Sequence, residues 1–112
     1  MKLLVLSAIM AAFVLAGCTV FDRGAVTSSG DNPTVEDACI QLCQHEVNSG
    51  TDLSAGPCLG NPMEINSSWV CDVAHYPRQD VDDNPTNQCS EYGQQASHFV
   101  EIDENCELIN TL

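Results

Sequence analysis

The chain has 112 residues and carries 16 acidic side chains against three basic ones, a formal charge of −13. So anionic a surface repels phosphate backbones and anionic lipid head groups, which excludes nucleic-acid binding and electrostatic membrane docking. The length leaves room for one small domain and not for several.

Met1-Lys2 is a short positive start, followed by an apolar stretch of 13 residues from Leu3 to Leu15. That is the length of a signal-peptide core and short of the roughly 20 residues a spanning helix needs. Leu15-Ala16-Gly17-Cys18 comes next, and here the chain resembles the lipobox of prokaryotic membrane lipoproteins. The resemblance implies a diacylglycerol thioether on Cys18, removal of residues 1–17, and a membrane contact made through that lipid. It covers residues 1–18 only. No twin arginine precedes the apolar run, so the expected export route is the general secretory one. Thr19 rather than Asp follows the lipid-bearing cysteine, which resembles outer-membrane sorting in a two-membrane cell and, in a cell with one membrane, implies the outer face of the cell membrane.

Cysteine arithmetic points the same way. Seven cysteines leave one odd thiol, and assigning Cys18 to lipid leaves Cys39, Cys43, Cys58, Cys71, Cys89 and Cys106. Without its leader the chain keeps only Arg23 and Arg78 as basic residues against 16 carboxylates, a formal −14. This acidity is similar to that of proteins from high-salt habitats, where salt screens the self-repulsion, and equally suits the ordinary solubility of an exposed domain. About 37% of its 95 residues are apolar (35 of them), a small stock for a core.

Residues 18–33 are expected to form the lipidated cysteine and a flexible tether. Thr19 to Asn32 is small, polar and glycine-punctuated, and its 14 residues as random coil would span about 20 Å. The extracytoplasmic domain then runs over 34–112. Thr34 and Asp37 form a capping-box pattern, with Val35, Ala38, Cys39, Leu42 and Val47 at helical spacing, which predicts a helix over 35–48. Residues 50–62 read as loop. The β-rich Ser68–His75 segment predicts a strand. Asn84-Pro85 predicts a short second helix ending near Ala96. His98–Ile102 and Cys106–Asn110 predict a hairpin. The expected fold is α+β: one long helix, one short helix and a small antiparallel sheet.

With Trp69, Tyr76, Tyr92 and Phe99 as its only aromatics, the 79-residue domain depends on cross-links, and six cysteines read as three disulfides in an oxidising compartment. Cys39 and Cys43 share one helical face with parallel side chains, so each needs another partner. Excluding that pair leaves twelve connectivities, of which Cys43–Cys58 is the most local. The Cys-x-x-x-Cys spacing does not suit a redox motif, and no Cys-x-x-Cys pair suggests zinc.

Asp80, Asp82, Asp83 and Asn84 concentrate oxygen ligands in one loop and form the candidate calcium site, although the central glycine and distal glutamate of an EF-hand are missing. Calcium is the one cofactor the chain suggests. His75 and His98 fall on predicted strands and His45 on the exposed side of the helix. A histidine beside a carboxylate such as Asp72 would suit a hydrolase, but there is no Gly-x-Ser-x-Gly turn and no other catalytic signature. Asn66-Ser67-Ser68 fits the N-glycosylation acceptor pattern and equally an ordinary turn. The leading expectation is a lipid-anchored binding or envelope protein that presents Trp69 and Tyr76 to an extracellular protein or glycan. A small hydrolase and a calcium-binding module are the alternatives.

Overall fold

A computed structural model describes residues 32–112. The signal segment, Cys18 and nearly all of the tether lie outside the described residues. The elements in chain order are helix α1 (Val35–Asn48), strand β1 (Cys58–Gly60), strand β2 (Trp69–Val73), a single 3-10 turn (Asp80–Asp83), strand β3 (His98–Ile102) and strand β4 (Leu108–Thr111).

Helix α1 has the expected limits because its ends are set locally. The Thr34 hydroxyl accepts from the Asp37 N–H at 3.1 Å, and the Asp37 carboxylate accepts from the Thr34 N–H at 3.2 Å. Glu36 and Asp37 lie in the first turn, where the helix dipole favours negative charge. Ser49 closes the other end through N–H bonds to the carbonyls of His45 and Glu46.

The four strands form one sheet in the order β1-β2-β3-β4. β1 and β2 are antiparallel, as are β3 and β4, whereas the central β2 and β3 run parallel. This corrects the expectation of an all-antiparallel sheet. Parallel neighbours need a long crossover, and residues 74–97 supply one. That crossover holds no second α-helix, contrary to the Asn84-Pro85 signal. The Asn84 Oδ1 accepts from the Thr86 N–H and hydroxyl at 3.1 and 2.9 Å, so its side chain closes a local turn. Further along, Gly93 sits at φ 82° and an isolated bridge joins Tyr92 to Ala96. β1, within a segment expected to be loop, forms because it pairs with β2 around a bulge between Cys58 and Gly60.

The two faces of the sheet are filled differently. Against α1, the alternate residues Cys71 and Val73 of β2 and Val100 and Ile102 of β3 bury themselves with Leu53, Met63, Cys39 and Cys43. On the other face, Val70, Cys89 and Ala96 form a second, much smaller cluster with Cys58 and Phe99.

All six cysteines of the domain are bridged: Cys39–Cys71, Cys43–Cys106 and Cys58–Cys89. Cys39 and Cys43 do go to different partners. The local Cys43–Cys58 pairing is corrected: α1 lies across the sheet, so its buried cysteines meet β2 and the β3–β4 turn, while Cys58 faces the crossover. Three disulfides in so small a domain mark a protein of an oxidising, extracytoplasmic compartment.

Candidate functional site

The crossover covers only part of the second sheet face. Over the remainder lies a cavity of about 390 Å³ lined by Asp72, Glu101, Arg78, Gln88, Tyr92 and Phe99, with Val70 and Cys89 also in its wall. Its geometry follows from register. Val70 pairs with Phe99 and Asp72 with Glu101 across the parallel strands, so alternation sends all four side chains to this face. Tyr92 comes from the crossover and meets Phe99 edge-on, with ring centroids 5.4 Å apart. The Cys58–Cys89 disulfide supports the cavity, and its Cys89 Sγ, which carries no hydrogen, lies 3.8 Å from the Asp72 Oδ1.

Asp72 lies within a central strand, one residue from its end, where an apolar residue would pack more cheaply. Burial pushes its carboxyl up to about 7, and the neighbouring charges of Glu101 and Asp82 push in the same direction, opposed by Arg78 and the Val73 N–H. Arg78 reaches the Glu101 carboxylate at 3.4 Å, while its Nε donates to Asp83 at 2.9 Å. One guanidinium is thus shared between carboxylates, and Asp72 is left with the weakest compensation.

A second polar centre stands at the end of β2. Asp82 is buried, and its Oδ2 accepts from the N–H groups of His75 and Gln79 at 3.1 and 2.8 Å. Its Oδ1 lies 2.9 Å from the His75 Nδ1, and the His75 Nε2 lies 3.4 Å from Glu104. Burial pushes the Asp82 carboxyl up, but these donors outweigh it and hold it below the ordinary aspartate range. The Asp82 hydrogen bond raises His75 above its ordinary value, against the opposing effect of burial. Gly56 makes the close approach possible: at φ 67°, a Cβ there would stand 2.6 Å from the Asp82 Oδ1 and 2.9 Å from the Val73 carbonyl.

The acidic loop is therefore divided. Asp82 turns inward to His75, Asp83 pairs with Arg78, and Asn84 closes its own turn. Among the described residues, the only trio of His, Cys, Asp or Glu ligand atoms within 4.8 Å of one another is Cys58, Asp72 and Cys89. Two of those are spent in a disulfide and offer no thiolate.

Trp69 opens β2 and Tyr76 lies three residues beyond its other end. Trp69 is half-buried and stacks on its register partner His98, with centroids 4.7 Å apart. Tyr76 is 82% exposed. His45 and Glu64 contribute to a larger groove of about 640 Å³ between α1 and residues 59–65, whose other lining residues are neutral. Asn66 is exposed, with its side-chain carbonyl accepting from the Ser68 N–H at 3.0 Å.

Sequence reasoning missed Glu101, Tyr92, Phe99 and Arg78 as a group with Asp72. The available signal was polar residues at alternate positions of two β-rich segments, but a shared cavity requires the parallel pairing. Compared with protein-family models, curated proteins and solved structures, the chain matches none.

Proposed function

We propose that this chain is a lipid-anchored extracytoplasmic binding domain, with the acidic cavity over Asp72 and Glu101 as its ligand site. The carrying observation is the closure of the cysteine count. The six cysteines from Cys39 onward bridge one another, which supports reading the seventh, at the end of Leu15-Ala16-Gly17, as the lipid acceptor. A domain that owes its rigidity to cross-links presents a preformed site, and a half-covered sheet face provides one. The exposed Tyr76 remains available to a second macromolecule.

A hydrolase built on His75 has less support, because both ring nitrogens already face carboxylates and neither is left for a substrate proton. Calcium at Asp80–Asn84 also has less support, since Asp82 and Asp83 are already engaged by His75 and Arg78.

Intact-mass analysis of the detergent-extracted protein tests the anchor. Loss of residues 1–17 and a diacylglycerol-sized addition on Cys18 are expected. A Cys18→Ser protein that stays membrane-bound at full length would overturn it.

A further inference from the structure

The cavity on the second sheet face combines features that specify a ligand class. Its polar floor is a carboxylate pair, Asp72 and Glu101, held side by side by the parallel register. Like charges placed directly opposite on neighbouring strands weaken a sheet, so this pair costs stability in the free protein. Its walls are Val70, Phe99 and Tyr92, with the two rings fixed edge to face. The volume of about 390 Å³ admits a small molecule and not a folded partner. Arg78 enters from the crossover with its Nη1 3.4 Å from Glu101 and its other donors directed to Asp83 and the Asp82 carbonyl.

Resting on the reading of this cavity as the ligand site, we infer that its ligand is a small protonated amine with an apolar body. The ammonium group sits between Asp72 and Glu101, and the carbon skeleton lies against Phe99, Tyr92 and Val70. A carboxylate pair recognises N–H⁺ donors through charge-assisted hydrogen bonds, and aromatic walls add apolar contact and cation–π attraction. Anions are repelled by the same floor. Arg78 is the internal competitor: it satisfies Glu101 from the rim and leaves Asp72 for the ligand.

This assignment has a proton signature. Asp72, on β2, faces Glu101 on β3 and Arg78 and Asp82 on the crossover, and its proton is held up to about pH 7. An ammonium ligand favours the ionised form, so binding releases a proton near neutrality and tightens as pH rises from 6 to 8.

The test is calorimetric titration of the full chain, extracted with its disulfides intact, using benzylamine, benzyl alcohol and benzoate as probes. Benzylamine is expected to bind one-to-one, about tenfold or more tightly than benzyl alcohol, with heats that vary with buffer ionisation enthalpy. Asp72→Asn should weaken benzylamine by about tenfold or more while leaving benzyl alcohol unchanged, the latter showing that the cavity is still folded. Arg78→Gln should strengthen benzylamine, an outcome that general damage to the fold would not produce. Equal or tighter binding of benzyl alcohol or benzoate would overturn the amine assignment and keep the cavity as a ligand site. Binding of none of the three probes would overturn both readings, as would benzylamine binding unaffected by Asp72→Asn.

Discussion

Asp72 and Glu101 stand in register on adjacent parallel strands, two carboxylates on one sheet face beside a single shared guanidinium. They belong to segments 29 residues apart, joined only by the crossover that also lines the cavity. The site and the topology are therefore one feature: an antiparallel meander would not bring this pair together with Arg78 and Tyr92.

Asp72 makes the fold pH-sensitive with a defined sign. Its carboxyl is raised to about 7 in the folded chain, so the folded state binds the proton more tightly than the unfolded one. Its contribution to stability is fully present below the unfolded value near 4 and is lost as pH rises through about 7. Asp72→Asn should therefore stabilise the domain at pH 8 by about 1–2 kcal/mol, allowing for water at the cavity mouth, and change little below pH 4. Thermal melts across pH check this. Equal shifts at both ends would sink it.

The His75–Asp82 pair adds limbs of its own. His75 is raised, so its contribution holds below about 6.5 and is lost as pH climbs through the higher folded value. Asp82 is lowered, so its contribution holds above about 4 and is lost as pH falls through the folded value. Stability should peak in mildly acidic solution. His75→Gln should flatten part of the alkaline decline, and NMR titration of the ring should show a value above the ordinary histidine range.

Asp82 accepts two backbone N–H groups, so Asp82→Ala should cost about 2–4 kcal/mol by leaving donors without their acceptor. Gly56→Ala should be destabilising as well, by about 1–3 kcal/mol, since the added methyl needs room now held by the Asp82 carboxylate and the Val73 carbonyl. Denaturant unfolding measures both. A Gly56→Ala domain as stable as wild type would show that the turn can move aside.

Reduction should unfold the domain cooperatively. The bridges span separations of 32, 63 and 31 residues. Each is worth about 3–4 kcal/mol in the chain-entropy picture, so three together rival the total stability of an ordinary domain. Loss of the Trp69–His98 stack should appear as a fluorescence change on adding reductant. Non-reducing peptide mapping should recover Cys39–Cys71, Cys43–Cys106 and Cys58–Cys89. A reduced chain that keeps its fold would mean that the α1-facing core suffices alone.

Features that depend on near neighbours or on counting are legible along the chain. The limits of α1 follow from Thr34, Asp37 and a 3.6-residue apolar period, all within a few turns of one another. β3 follows from alternation, and the need for three disulfides follows from six cysteines and few large apolar residues. Features that depend on distant segments meeting emerge with the folded arrangement alone. The direction of β3 against β2, the inward turn of Asp82 and the shift of Asp72 arise from contacts with the crossover, whereas Cys39 and Cys43 find their partners because α1 lies across the sheet and Cys58 finds its own because it faces the crossover. The Asn84 signal shows the limit from the other side: a good cap starts a helix only where the following chain gains more from helical packing than from local turns. Here Cys89 is drawn to Cys58 and Gly93 takes a left-handed turn, so the crossover wraps the sheet and leaves a cavity over two carboxylates.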